Sequence, residues 1–158
     1  MRSAIIYYSY SGNTKKVALE LQDYLGKQGS VELIRLRPKD ETDSFLAQCN
    51  RAFFRQQVPI EDVPLDLKDF DIVCLGTPVW ALGPAAAMNT FLKKCVGVEN
   101  KSIVSFTTYG SGLGNVRCIN IMQQAMRKKG ARKLCSFSIQ QSKVEKEDFI
   151  LDQIAKVL

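Results

Sequence analysis

A short segment rich in hydroxyl side chains separates the first apolar run of the sequence from an amphipathic stretch. It contains Ser9, Ser11, Gly12, Asn13 and Thr14. The first N–H groups of a helix have no intrahelical partner and lie at the positive end of the helix dipole, so this segment could hold a phosphate dianion. The same residue types also cap helices that bind no ligand. These residues alone therefore leave a phosphate site and a plain helix cap equally open.

Two later loops carry residues suited to a flat heterocycle. The loop 76–83 contains Trp80, the only tryptophan of the chain, and a planar apolar ring at the rim of a crevice can stack on such a ligand. The loop 107–114 has glycines at positions 110, 112 and 114, which let backbone N–H groups approach a ring edge, and Tyr109 could cover the opposite face. The alternatives are a tryptophan that packs on a neighbouring helix and a glycine pattern unrelated to nucleotides, because that pattern follows the fourth strand instead of the first.

Apolar periodicity divides the chain into five strands that alternate with five helices. The predicted strands are the apolar run 4–6 with its flanks, Val31–Leu36, Phe70–Leu75, Ser102–Phe106 and Lys133–Ile139, and the predicted helices are Asn13–Gln28, Asp43–Gln56, one with Pro84 in its first turn, Asn115–Lys129, and one begun by a capping box of Ser142 and Glu145. This alternation predicts an α/β fold, a single domain over residues 1–158 with a three-layer, doubly wound, five-stranded parallel sheet in the order 2-1-3-4-5. In that order the three loops described above follow strands 1, 3 and 4, and they converge on the carboxyl edge of the sheet, where such folds bind ligands.

Composition excludes several classes of site. The 158 residues include no histidine, which removes His-based triads and the commonest metal ligand. The five cysteines are widely spaced without a Cys-x-x-Cys pair, so we expect buried reduced thiols and no metal centre. No apolar window is long enough to cross a membrane and the first residues do not form a basic-then-apolar leader, so we expect a cytoplasmic protein without membrane contact.

The formal net charge of +6 is concentrated in the second half of the chain. Residues 1–71 carry 10 Lys and Arg against 11 Asp and Glu, whereas residues 72–158 carry 12 against 5, a net charge of +7. The densest cluster spans residues 127–133 at a predicted helix C-terminus, where cations complement the helix dipole. A solvated structural face is the favoured interpretation, and nucleic-acid binding has little support because no aromatic residues interleave with these charges.

The segment Ser9-Tyr10-Ser11-Gly12-Asn13-Thr14 resembles the FMN-phosphate loop of the flavodoxin family, and the element order and the two later loops extend the resemblance over essentially the whole chain. The resemblance implies that FMN is the cofactor. The residues that it implies as FMN contacts are Ser9, Tyr10, Ser11, Gly12, Asn13 and Thr14 around the phosphate, Pro78, Val79, Trp80 and Ala81 on one side of the flavin, and Thr107, Thr108, Tyr109, Gly110 and Gly112 on the other. The function that it implies is a redox protein that carries electrons between protein partners, and the alternative is an NAD(P)H-dependent FMN or quinone reductase of the same fold.

Two further hypotheses come from other functional classes. A phospho-receiver domain shares the strand order, but it needs clustered carboxylates after strand 1, where this chain has Ser9-Tyr10-Ser11. An interaction protein on an empty flavodoxin-like fold is the other hypothesis, because a fold does not guarantee a function.

Two features depart from the electron-carrier flavodoxins that the chain resembles. Those proteins are strongly acidic, whereas this chain is basic, which favours an acidic partner such as a ferredoxin or a phosphorylated nicotinamide donor. Ala81 stands where glycine is common. In the family that the chain resembles, a flip of the peptide in this loop stabilises the one-electron-reduced flavin, and the flipped form favours a positive φ. A positive φ costs a residue with a Cβ atom about 1 kcal/mol or more. The resemblance therefore predicts that the one-electron-reduced flavin is less stabilised here than in those proteins.

Overall fold

The computed structural model describes residues 1–39 and 57–158 of the chain. The elements in chain order are β1 (Arg2–Tyr7), α1 (Asn13–Gly26), β2 (Ser30–Arg35), β3 (Ile72–Trp80), β4 (Gly83–Pro84), α2 (Ala86–Lys94), β5 (Ser102–Tyr109), α3 (Asn115–Lys128), β6 (Lys133–Gln140), a 3₁₀ turn (Gln141–Lys143) and α4 (Glu147–Ala155). The predicted helix over residues 43–56 lies outside the described residues. Among the described helices, none is long and apolar enough to cross a membrane.

The main sheet has the strand order β2-β1-β3-β5-β6, and all of its neighbouring strands run parallel. The predicted order 2-1-3-4-5 is confirmed, because the added strand β4 has only two residues and pairs antiparallel with the end of β3, off this path. The winding direction reverses between β1 and β3. The carboxyl ends of these two strands therefore open onto the crevice in which doubly wound sheets bind ligands.

Two apolar clusters cover the two faces of the sheet, as expected for parallel strands that are buried on both sides. Because successive side chains of a strand point to opposite faces, Ile5 joins the cluster with Leu21 of α1 and Ile6 joins the cluster with Phe91 of α2. All four side chains are fully buried. The central strands are thus held in place from both sides, and their carboxyl ends form a fixed base for the loops that follow.

The structure corrects two predicted helix starts. Pro84 was expected in the first turn of a helix, but it lies in β4, and α2 begins at Ala86. Ser142 and Glu145 were expected to form a capping box, but Ser142 lies in the 3₁₀ turn and α4 begins only at Glu147. The Glu145 carboxylate instead pairs with the Lys16 ammonium, a tertiary contact that capping-box spacing does not register.

Candidate functional site

The hydroxyl-rich loop between β1 and α1 leads its backbone N–H groups to the N-terminus of the helix. Gly12 takes a left-handed φ of 95° at the N-cap of α1, and the Ser9 hydroxyl accepts the Lys15 N–H at 3.2 Å. Ser9 thus holds the first turn of α1 from outside the helix, because the N-cap residue Gly12 makes no side-chain cap hydrogen bond. The N–H groups of residues 11–14 find no acceptor within the part of the chain that the structure describes. Such a run of donors at the positive end of a helix is suited to an anion.

Thr14 and Thr108 connect this loop to the neighbouring strand end. Their hydroxyl oxygens lie 2.8 Å apart, and both side chains are almost completely buried. One hydroxyl donates and the other accepts, so one proton of the pair remains available to a further acceptor. The contact spans 94 positions of sequence and fixes the first turn of α1 against β5.

Arg35 is a site residue that the sequence did not point to. It is the last residue of β2, opposite Tyr7 in the sheet register, and its Nη2 donates to the carbonyl oxygen of Ser9 at 3.1 Å. Its Nε is buried without a hydrogen-bond partner among the described residues. Burial raises the pKa of the Tyr7 phenol, and the positive charges of Arg35 and Arg37 partly oppose that rise. A full positive charge therefore lies behind the loop, contributed by a residue 26 positions away.

Trp80 lies deeper in the molecule than predicted. We expected an exposed indole at a loop rim, but Trp80 is the last residue of β3 and only 7% exposed. Its ring makes edge-to-face contacts with Tyr8 and Tyr10, with centroid separations of 5.5 and 5.6 Å. The difference arises because β3 continues beyond Leu75 to pair with β5 and β4, which brings the indole into the aromatic layer over the sheet.

A two-residue turn joins β3 to β4. Ala81 and Leu82 both have positive φ, 45° and 66°, between the paired residues Trp80 and Gly83. Two successive positive φ values are the signature of a type I′ hairpin turn, which usually uses Asn and Gly. Ala81 thus already has, in the folded chain, the positive φ that we expected to be unfavourable for a residue with a Cβ atom. The expected weaker stabilisation of a one-electron-reduced flavin stays a prediction.

At the end of β5, successive side chains point to opposite faces of the sheet. Thr108 faces the β1–α1 loop, whereas the Thr107 hydroxyl is buried against Asn115 Oδ1 and Ser138 Oγ, at 2.5 and 3.0 Å. The Tyr109 ring lies beside Gly112, where an added Cβ would be 3.7 Å from its Cε2 atom. Thr107 and Tyr109 were both predicted to face a flat ligand; the Thr107 hydroxyl is directed to Asn115 and Ser138, and Tyr109 is not among the residues that line the cavity described next.

One cavity of about 530 Å³ gathers the loops at this edge of the sheet. Its lining consists of Tyr10, Ser11, Asn13, Thr14, Pro78, Val79, Trp80, Thr108, Gly110, Ser111 and Gln141. Ser9, Gly12, Ala81, Thr107, Tyr109 and Gly112, also predicted as contacts, do not line it. Ser111 and Gln141 are additions. Gln141 follows the last strand at the same edge, so the rule that ligands bind at carboxyl ends could have identified it.

The lining offers hydrogen-bond donors and aromatic surface without formal charge. Among the lining residues that the structure describes, none is acidic or basic, and only Tyr10 has an ionisable side chain. The volume lies within the range of roughly 300–1,000 Å³ that is typical of small-molecule sites. Next to it, Gln140 Nε2 donates to the Gly110 carbonyl at 3.3 Å and restrains the third loop. The arrangement suits a ligand with an anionic end at α1 and a flat end near Trp80.

Comparison with known proteins identifies the family to which this architecture corresponds. The family model described as Flavodoxin matches residues 2–146. No curated protein sequence matches significantly.

Solved structures with the same fold include a flavoprotein, a flavodoxin and an oxidoreductase. A flavoprotein from Lactobacillus acidophilus, solved in complex with FMN, has 20% identity and a TM-score of 0.65 over 93% of this chain and 98% of its own. The two-electron reduced flavodoxin of Megasphaera elsdenii has 19% identity and a TM-score of 0.59 over 98% and 99%. An NADH:FMN oxidoreductase in its apo form has 15% identity and a TM-score of 0.63 over 100% of this chain and 91% of its own.

Proposed function

The chain belongs to the flavodoxin family, and on that premise we propose that it is an FMN-binding redox protein that carries electrons between protein partners. The observation that carries the proposal is that the N–H groups of residues 11–14 have no acceptor among residues 1–39 and 57–158 and lie at the mouth of a cavity lined by Trp80. The proposal includes a cytoplasmic location. The free thiols of the four described cysteines support it, because disulfides are rare in reducing compartments.

In this proposal one group of residues binds the phosphate of FMN and another group contacts its flavin ring. The N–H groups of residues 11–14 and the hydroxyl of Thr14 bind the phosphate, and the Arg35 guanidinium adds a positive charge from behind. Trp80 and Thr108 line the part of the cavity that receives the flavin ring. FMN, when bound, accepts and releases one or two electrons. Because the described lining has no carboxylate or amine, the protein contributes binding and orientation rather than an acid or base.

The first test measures FMN and riboflavin side by side through quenching of flavin fluorescence. Thr14→Val removes a hydroxyl that only FMN can use, so it should weaken FMN binding more than riboflavin binding. Trp80→Ala should weaken both ligands by about 1–3 kcal/mol, with base stacking on aromatic residues as the guide. Absence of quenching in the wild-type protein would refute the proposal. An equal loss of both ligands in Thr14→Val would remove the loop from the phosphate site.

The second candidate function is an NAD(P)H-dependent FMN or quinone reductase, which the NADH:FMN oxidoreductase among the similar structures favours. In such an enzyme the residues that line the cavity would hold FMN, and FMN would supply the acceptor for a hydride from the nicotinamide. An anaerobic absorbance trace of FMN-loaded protein separates the two functions when NADPH and then NADH are added. Rapid bleaching of the flavin band would establish a reductase. An unchanged oxidised spectrum would leave a carrier that depends on a protein donor.

A further inference from the structure

Three large apolar side chains project into solvent beside the cavity. Leu82 is 39% exposed, Leu113 74% and Val116 71%. Gly114 joins them into one surface, because an added Cβ on Gly114 would lie 2.5 Å from the Leu82 Cα atom. We call Leu82, Leu113 and Val116 the apolar rim. Contiguous exposed apolar surface of this kind commonly marks an interaction site.

The apolar rim borders the proposed flavin site. Leu82 is two residues from Trp80, and Leu113 is two residues from Ser111, and both Trp80 and Ser111 line the cavity. Electron transfer falls off steeply with distance, so a redox partner must bind close to the flavin. The rim lies where such a partner would have to make contact.

The exposed side of α3 continues this surface with positive charge. The helix contains no Asp or Glu, and its exposed positions include Arg117, Gln124 and Lys128. The spacings of 7 and 11 residues place these three on one face of the helix. No ion pair among the described residues involves Arg117, Arg127 or Lys128. The face is therefore apolar next to the cavity and carries one cation near each end of the helix.

A groove of about 600 Å³ runs along the same face, lined by residues of the 112–114 loop and of α3. An apolar centre with a charged margin is the usual anatomy of a protein interface, and a partner of opposite charge is attracted over long range. A second copy of this chain would bring like charges together.

We infer that the apolar rim and the basic face of α3 form the docking surface for an acidic one-electron carrier protein that reduces the flavin. The inference rests on the proposed function, since it assumes bound FMN. Two encounters deliver two electrons, each leaving one partner molecule oxidised, and solvent supplies the two protons that complete the reduction of FMN.

The test uses the FMN-loaded protein and, as the probe, a dithionite-reduced acidic [2Fe–2S] ferredoxin in an anaerobic stopped-flow experiment. At low salt Arg117→Glu should slow flavin reduction about tenfold or more, and the difference should vanish at high salt. Lys27→Glu is the matched control. Lys27 is exposed at the C-terminus of α1, whereas the cavity lies at the N-terminus of that helix, and Lys27→Glu changes the net charge by the same amount as Arg117→Glu. That control should change the rate less than about twofold.

A second pair of variants, Leu113→Ser and Val116→Ser, tests the apolar rim and should slow the reaction at high salt as well. Equal slowing by Arg117→Glu and Lys27→Glu would overturn the inference, since net charge alone would then explain the rates. Unchanged rates in the serine variants, or faster exchange with the basic protein cytochrome c than with ferredoxin, would overturn it too. FMN dissociation constants are measured first for every variant. Failure of the wild-type protein to bind FMN would refute the proposed function, whereas normal binding without dependence on this face would refute only the docking surface.

Discussion

The contact between Thr14 and Thr108 gives the sharpest prediction about how the site is held together. The two hydroxyls are 2.8 Å apart and almost completely buried, so each has little access to water when its partner is removed. Valine has nearly the same shape as threonine and lacks the hydroxyl. The variants Thr14→Val, Thr108→Val and the double variant therefore form a cycle that isolates this single hydrogen bond.

The expected magnitudes follow from burial. Each single substitution leaves one buried hydroxyl without a partner, which costs about 1–3 kcal/mol of the free energy of unfolding. The double variant replaces both hydroxyls by apolar groups and should cost little more than either single variant. The coupling energy, the sum of the two single costs minus the double cost, should then be about 1–3 kcal/mol.

Urea denaturation of the flavin-free protein, followed by tryptophan fluorescence and circular dichroism, measures these energies. In parallel, Thr108→Val should weaken FMN binding about fivefold, or about 1 kcal/mol, because it orients the Thr14 hydroxyl. Riboflavin affinity should fall less than FMN affinity in Thr108→Val, because riboflavin lacks the phosphate. If the costs of the single variants simply add in the double variant, the two hydroxyls are not each other's partners and the reasoning fails.

Four other substitutions test separate parts of the structure. Gly76→Ala should lower the free energy of unfolding by about 1–3 kcal/mol in urea titrations, because its Cβ would lie 2.1 Å from the Phe106 ring; an unchanged midpoint would contradict the packing described. Ala81→Asn should raise it by about 0.5–1 kcal/mol, since asparagine tolerates positive φ better than alanine; destabilisation would argue against the type I′ turn. Arg35→Gln should weaken FMN binding about fivefold and reduce its salt dependence while leaving riboflavin unaffected; equal effects on both flavins would mean that its role is only structural. Burial raises the pKa of the Cys118 thiol to about 12 from its usual 9.0, so the unfolded chain loses this proton first. The contribution of the Cys118 thiol to the free energy of unfolding is therefore complete below pH 9. It declines between pH 9 and pH 12 by up to about 1.4 kcal/mol per pH unit. Stability profiles of wild type and Cys118→Ala that stay parallel above pH 9 would contradict this.

Local sequence patterns were sufficient to predict the architecture of the sheet. Strand and helix periods, glycine punctuation and a hydroxyl-rich segment after the first strand are properties of neighbouring residues, and they predicted the order of the five main-sheet strands and the four described helices correctly. The sheet order followed because parallel strands joined by helices have few permitted arrangements. The Flavodoxin family match over residues 2–146 agrees with the family that the segment 9–14 resembled.

Element ends were less predictable because they depend on pairing across the sheet. Periodicity ended the third strand at Leu75, yet β3 runs to Trp80 because β5 and β4 supply hydrogen bonds to its end. The turn that follows lacks the Asn-Gly signal of hairpins. Ser142 and Glu145 had the correct capping spacing, but the carboxylate found Lys16 instead.

The sequence by itself therefore determined the fold, the edge of the sheet at which the cavity lies, and the segment of that edge suited to an anion. Tertiary structure alone decided which side chains enter the cavity. Strand register turned Thr108 inward and Thr107 outward, and β2 brought Arg35 behind a loop 26 positions earlier. The physical reason is that periodicity reports on residues a few positions apart, whereas a side chain's direction and partners are fixed by strands and helices that meet only when the chain folds.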